Sequence, residues 1–96
     1  MNRLVLSAIL LERRALRYTP AGLPALDFSL KHESEVSEDG QPRKVSMEIR
    51  ARAIGAVTQV PSAMALGSAG LFGGFLAGGL NGRGLLFHIT SVEPLA

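Results

Sequence analysis

The residues with the clearest chemistry in this 96-residue chain are its cations. Lysine and arginine number 10 against 8 acidic residues, which gives a net charge of +2 and an isoelectric point near 9.7. The charges are segregated, because the first 32 residues hold five positive and two negative charges and an acidic cluster follows at 33–39. A basic region of this kind attracts a polyanion, although a mildly basic face is more often ordinary solvated surface.

Residues that catalysis and metal binding require are scarce. The chain has no cysteine, which excludes disulfides, a thiolate nucleophile and cysteine-based metal sites. Its two histidines, His32 and His88, lie in alternating apolar runs, which is typical of strand histidines rather than of catalytic bases. Neither lysine follows a glycine, as a phosphate-binding Walker loop requires. The sequence therefore predicts no enzymatic activity, no metal site and no cofactor.

Hydrophobic patterning predicts the strands that position the cations. Residues 3–11 are rich in leucine, valine and isoleucine and predict a buried strand, with an amphipathic helix as the alternative. Residues 26–33 and 45–53 alternate between apolar and polar types, as in strands with one face on a core. The polar segment 34–44 contains glycine and proline and predicts an exposed loop.

The second half of the chain adds two further strands. Pro61 and Gly67 bracket a short predicted helix at 62–66, and glycine-rich residues 69–77 predict a fourth strand. A loop at 78–84 leads to a last strand at 85–92. Five strands, one short helix and no βαβ alternation predict an all-β barrel or sandwich, formed by one domain over residues 1–96.

The uncharged stretch 53–82 raises the alternative of a small membrane protein. Its densest apolar part, residues 71–80, is half of the roughly 20 residues that a spanning helix needs, and Pro61 interrupts the stretch. The apolar run 3–11 is followed at once by charged residues, where a signal peptide has its cleavage site. We therefore expect a cytoplasmic protein without a membrane partner.

Several motifs resemble one known family in order and spacing. They are Asn2-Arg3-Leu4-Val5-Leu6-Ser7-Ala8, Pro20-x-Gly22-Leu23-Pro24 leading into Phe28-Ser29-Leu30-Lys31-His32-Glu33-Ser34, and Gly74-Phe75-Leu76-Ala77 before Asn81-Gly82. Over essentially its whole length the chain closely resembles the PriB family (primosomal replication protein N), which is related to bacterial single-stranded DNA-binding proteins. The resemblance implies a five-stranded OB-fold barrel and a homodimer with the first strand near its interface. It also implies two kinds of partner during replication restart: single-stranded DNA, and the primosomal helicase with other primosome proteins.

The resemblance further implies a set of DNA-binding residues, because an OB groove tracks phosphates with cations and stacks bases on aromatic rings. A basic residue precedes the proline–glycine turn in the family, and another basic stretch leads into the third strand. The expected DNA-binding residues are Arg17, Tyr18, Lys31, Arg43, Lys44, Ser46, Arg50 and Arg83.

This chain departs from the family pattern at three places. Ser46 takes the position of a stacking tryptophan, Glu33 reverses a basic position, and Arg83 is the one cation in the 78–84 loop, where the family has several lysines. A base–aromatic stack contributes about 1–3 kcal/mol, and each lost phosphate contact flattens the salt dependence of binding. We therefore expect weak, sequence-tolerant DNA binding.

Two functions stay open on the sequence alone. The Arg43-Lys44 pair favours an accessory protein that holds single-stranded DNA. The glycine-rich 78–84 loop, which has no lysine, and the missing stacking aromatic favour a protein-interaction module with vestigial DNA affinity. The phenylalanines are expected in the core rather than as stacking platforms. They are Phe28, Phe72, Phe75 and Phe87.

Overall fold

Extended strands make up most of the computed structural model, which describes residues 1–95. The strands are β1 (Leu4–Arg13), β2 (Arg17–Tyr18), β3 (Pro24–Glu38), β4 (Gln41–Ile54), β5 (Ala69–Gly78) and β6 (Leu85–Pro94). The helix α1 (Gln59–Ala63) follows a 3-10 turn at Ala56–Thr58, and a second 3-10 turn at Leu80–Gly82 lies between β5 and β6. Among the described residues, no helix has the length and apolar character needed to cross a membrane.

Five of the strands close into a barrel. Antiparallel pairing joins β1 to both β3 and β5, β3 to β4 and β5 to β6, while β4 and β6 are parallel neighbours. The two-residue β2 pairs with the start of β3. The resulting order, β1-β3-β4-β6-β5, is that of the OB-fold barrel that the sequence predicted.

The barrel interior holds the apolar residues that the alternation assigned to it. Leu10, Leu30 and Phe72 are completely buried, and Phe87 lies among them. His32 also points inward, where its Nδ1 donates to the carbonyl oxygen of Ser7 at 2.6 Å. Because this bond joins β3 to β1, His32 is a hydrogen-bonded structural histidine, as predicted.

Residues 34–44 do not form the predicted loop. Instead β3 and β4 continue as an antiparallel hairpin whose turn is Asp39-Gly40, with φ values of 51° and 75°. Asp-Gly is a preferred two-residue hairpin turn, because both central residues adopt positive φ. The hydrophobic pattern misses these strands because most of their side chains are exposed beyond the end of the barrel.

The helix lies three residues earlier than predicted. Pro61 is the third residue of the helix rather than at its first position, which costs no hydrogen bond because the first amide groups of a helix have no partner within the helix. The guanidinium of Arg13 donates to the carbonyl oxygens of Pro61 and Met64, at 2.9 and 2.7 Å. Arg13 thereby fixes the end of α1 against β1.

β5 and β6 approach closely at Gly74. Gly73 pairs with Ser91 and Gly74 with Ile89, so Thr90 is an extra residue that forms a bulge in β6. A Cβ atom on residue 74 would overlap the backbone carbonyl of His88. The barrel wall therefore requires glycine at this position.

Replacing Gly74 with alanine should lower the free energy of unfolding by at least ~2 kcal/mol, because the obstructing atoms belong to a paired backbone that cannot move aside. Urea denaturation followed by circular dichroism measures the change. Gly78→Ala is the matched control on the same strand, since the nearest atom to its added Cβ is 3.8 Å away. Equal losses in the two variants would contradict the steric explanation.

Asp27 ties β2 and β4 to β3. Its carboxylate accepts a hydrogen bond from Arg52 Nε at 2.7 Å and one from Arg17 Nη2 at 3.2 Å. Partial burial raises the pKa of Asp27, but the hydrogen bonds and positive charges of Arg52 and Arg17 outweigh it. The pKa is therefore lowered from its ordinary value of 3.8. Asp27 remains charged at neutral pH.

The lowered pKa makes Asp27 a source of acid sensitivity. Its stabilising contribution is present above the unfolded-state pKa and is lost as pH falls through the folded-state pKa. At pH 7, Asp27→Asn should lower the free energy of unfolding by about 1 kcal/mol, and this deficit should shrink as the pH drops below 3.8. Urea denaturation at pH 7 and at about pH 3 measures both values.

Glu38→Gln is the control for this prediction. It removes an ion pair with Arg43 in which the two side chains are 63% and 68% exposed, so little stability depends on it. A deficit in Asp27→Asn that stays constant with pH would refute the assignment.

Candidate nucleic-acid interface

A groove of about 350 Å³ crosses the outer surface of the barrel beside the end of β1. It forms there because β1 ends at Arg13, whereas its neighbour β3 and the next strand, β4, continue past that point. Four strands and the residue that follows β1 contribute to its walls. The lining residues are Glu12, Arg13, Arg14, Asp27, Phe28, Ser29, Arg50, Ala51, Arg52 and Leu86.

The outward-facing side chains of β3 and β4 determine the chemistry of this groove. Asp27 is opposite Arg52, while the small Ser29 is opposite Arg50. Within residues 1–95, Arg50 and Arg14 take part in no ion pair. The four arginines and two carboxylates of the lining leave a net charge of +2, which attracts an anion.

The loop between β5 and β6 forms one rim of the groove. A guanidinium nitrogen of Arg50 would lie 3.3 Å from a Cβ on Gly79, so the backbone of Gly79 rests against the Arg50 side chain. The Gly79 amide donates to the Gly84 carbonyl at 3.1 Å and closes the loop that carries the exposed Arg83. A side chain at 79 would crowd Arg50 and the Arg83 carbonyl.

β2 pairs with the edge of β3 opposite to β4. From there the Arg17 side chain forms an ion pair with Asp27, one of the residues that line the groove. Its neighbour Tyr18 is 67% exposed. Of the predicted set, Arg50 lines the groove, Arg17 contacts the lining residue Asp27, and Arg83 is on the loop at the rim. Tyr18 is next to Arg17 on β2. We call these four the groove residues: Arg17, Tyr18, Arg50 and Arg83.

The other predicted residues do not line the groove, and we call them the hairpin residues: Lys31, Arg43, Lys44 and Ser46. Lys31 is two positions along β3 from Ser29, which lines the groove, and the other three lie farther out on β4. Lys44 is six positions from Arg50, which is about 20 Å along a strand. Each hairpin cation faces a carboxylate. Lys31 is opposite Glu48, Lys44 is opposite Glu35, and Arg43 forms an ion pair with Glu38 at 3.5 Å. Ser46 is opposite Glu33.

The structure adds three residues to those that sequence reasoning selected. Arg14 and Arg52 both line the groove. Two features of the sequence could have identified them: the basic doublet Arg13-Arg14 after the predicted first strand, and the alternation that turns Arg52 outward on β4. Phe75 is the third, because it is 39% exposed and stacks on His88 with ring centroids 4.9 Å apart.

The expectation that all four phenylalanines lie in the core was wrong for one of them. Phe75 is an odd number of residues beyond the inward-facing Phe72, so strand alternation turns it outward. The other three, which are Phe28, Phe72 and Phe87, are at most 4% exposed and belong to the core as expected.

Comparison with known proteins gives a consistent family assignment. A family model described as "Another single-strand binding protein family" matches residues 2–91. The replication restart protein PriB of Bordetella pertussis is 51% identical over 77 residues, which cover 80% of this chain and 72% of the relative.

Two solved structures share the fold. The PriB structure from Ralstonia solanacearum has 36% identity and a TM-score of 0.90, with 98% of this chain and 97% of that chain covered. The single-stranded DNA binding protein of Thermus aquaticus has 26% identity and a TM-score of 0.77, and the match covers all of this chain and 50% of that one. The chain therefore belongs to the PriB family, and its barrel is an OB-fold of the single-strand binding protein type.

Proposed function

We propose that this protein binds single-stranded DNA in the groove beside the end of β1 and serves in replication restart. The observation that carries the proposal is a positively charged groove in which Arg14 and Arg50 form no ion pair with any described residue. Family membership supports it, because the relatives are named for replication restart and for binding single-stranded DNA. Such a protein holds its ligand and makes or breaks no covalent bond, so it is not an enzyme.

Binding in this groove is electrostatic and independent of base sequence. Arg14 and Arg50 contact phosphates, and Arg83 on the neighbouring loop adds a third cation at the rim. Tyr18 offers its exposed ring for base stacking at the opposite side. Every base has a flat aromatic face and every nucleotide a phosphate, so this arrangement tolerates any sequence.

The hairpin residues contribute less to binding than the groove residues. A phosphate that approaches Lys31, Arg43 or Lys44 has to compete with a carboxylate that already faces the cation. At position 46 a serine supplies no stacking ring, and the opposite Glu33 repels the backbone of the DNA. These cations act mainly through long-range attraction, which salt screens.

The first prediction concerns the groove cations. At low salt, Arg14→Ala and Arg50→Ala should each weaken binding of a dT oligonucleotide by roughly five- to tenfold, because each removes a charged phosphate contact. Each should also reduce the slope of the logarithmic salt dependence by about 0.7. Fluorescence anisotropy titrations over a series of salt concentrations measure both effects.

Two further variants control this experiment. The double variant Arg43→Ala, Lys44→Ala removes more charge than either groove variant and should nevertheless lose less affinity. Asp27→Asn should tighten binding, because it removes a carboxylate and releases Arg17 and Arg52 from their ion pairs. If the wild-type protein does not bind the oligonucleotide, or if the hairpin variant loses more affinity than the groove variants, the groove is not the DNA-binding site.

We also propose that the protein forms a homodimer through the outer face of β1. The ladder between β1 and β3 starts only at Ile9, so the edge of β1 before it has no partner strand on that side. Ile9 is 36% exposed and lines a shallow depression with Ala8 and Ala69. Ser7, Lys31 and Glu33 complete the lining of this depression. An exposed apolar strip beside an unpaired strand edge favours contact with a second copy.

Light scattering should give a mass of about twice the 10.1 kDa of the chain. Ile9→Glu should reduce that mass to the monomer, because it places a charge in the apolar contact. Ile54→Glu is the control, since Ile54 is similarly exposed, at 42%, and is the last residue of β4. A monomeric wild type, or a dimer that survives Ile9→Glu, would contradict this interface.

A second candidate function is a protein-interaction module that recruits the primosomal helicase or other primosome proteins in the cytoplasm. Two apolar side chains on β3 and β4 favour this function, because Val36 is 47% exposed and Met47 is 36% exposed. Exposed apolar side chains suit contact with another protein. Helicase stimulation by an Arg14→Ala, Arg50→Ala double variant that no longer binds DNA would select this function over the first.

A further inference from the structure

The outer face of β5 and β6 carries an exposed aromatic pair. The rings of Phe75 and His88 are nearly parallel, with an interplanar angle of 3° and a centroid separation of 4.9 Å. His88 stacks on one face of the Phe75 ring, and the opposite face of that ring does not contact His88. Gly73 and Ala77 are its nearest neighbours on the same face of β5, so no large side chain along that strand covers the ring.

Two arginines lie on either side of this pair. The parallel ladder between β4 and β6 places Arg52 beside His88. On the other side, Leu4 of β1 pairs with Gly74, and the side-chain amide of Asn2 exchanges two hydrogen bonds with the backbone of Leu76, at 2.6 and 3.0 Å. Because these contacts continue the register, Arg3 lies opposite Phe75.

The aromatic pair is continuous with the groove. The ladders align one outward residue from each strand in a single row across the barrel. The row is Asp27, Arg52, His88, Phe75 and Arg3. Its first two members line the groove, and two strand spacings, or about 10 Å, separate Arg52 from Phe75.

We propose that Phe75, supported by His88, is a second base-stacking site that receives single-stranded DNA as it leaves the groove. A flat ring with a cation on each side matches a ligand that combines flat bases with a phosphate backbone. Arg3 contacts a phosphate next to the stacked base, and Arg52 connects this site to the groove. The inference rests on the proposed DNA binding and specifies the path of the strand beyond the groove.

Phe75→Trp gives a direct probe of this site, because the chain has no other tryptophan. A long dT oligonucleotide of about 20 nucleotides should quench the emission of Trp at position 75, since base stacking quenches an indole. One of about 6 nucleotides, which the groove alone accommodates, should quench it much less. An emission that does not change with either oligonucleotide would overturn the proposal.

Phe75→Leu tests the energetic contribution while it keeps an apolar side chain on the strand. It should weaken binding of the long oligonucleotide by about fivefold or more and leave the short one unchanged. Leu66→Ala is the matched control, because it shortens an apolar side chain that is 57% exposed in the loop before β5. Circular dichroism verifies that both variants are folded.

The outcomes separate this proposal from the one it rests on. If the wild type binds neither oligonucleotide, both proposals fail. If the wild type binds and Phe75→Leu binds the long oligonucleotide equally well, only the second site fails. If Phe75→Leu changes the mass measured by light scattering, the aromatic pair is a contact between copies of the chain, and the second site is also rejected.

Discussion

The shared pairing of β1 is the constraint on which the rest of the structure depends. The barrel closes because β1 hydrogen-bonds to β5 along its first half and to β3 along its second half, with a register shift between Leu10 and Glu12. His32 hydrogen-bonds to Ser7, which precedes the residues of β1 that pair with β3. Arg13 fixes the end of α1 at the point where β1 ends. The groove opens at the same point, so closure of the barrel and the position of the groove have one cause.

Charge pairing then determines which cations are available to a ligand. Three cross-strand pairs on the outer face of β3 and β4 join opposite charges, and such pairs stabilise the ladder. They are Asp27–Arg52, Lys31–Glu48 and Glu35–Lys44. Among the hairpin cations, Arg43 forms an ion pair with Glu38, while Lys31 and Lys44 each lie across the ladder from a glutamate. Arg50 is the exception on β4, because a serine faces it. A hairpin that is exposed on both faces is therefore held partly by charge pairs. Of the four arginines that line the groove, Arg52 pairs with Asp27 and Arg13 binds carbonyl groups at the end of α1, whereas Arg14 and Arg50 make no such contact within residues 1–95.

Alternation in the sequence was sufficient to predict the core and the outward phase of β3 and β4, because a buried face imposes a period of two. It failed at 34–44, where neither face is buried and the Asp39-Gly40 turn was the remaining indication of a hairpin. The groove was partly predictable, since Arg50 and Arg52 follow from strand phase. The separation of groove residues from hairpin residues was not predictable from the sequence. It depends on which residue lies opposite each cation, and the closed barrel sets this strand register.

The aromatic residues show how little of this surface is suited to stacking. The chain has one tyrosine, four phenylalanines and no tryptophan, and three of the phenylalanines lie in the core. The remaining rings are Tyr18 on β2 and Phe75 on β5, and the strands β3, β4 and β6 lie between these two strands in the pairing order. Arg50 on β4 lies between them. With a serine at position 46, the residues able to stack a base flank the groove rather than the hairpin, so the shortest path that uses both rings and free cations runs across the strands.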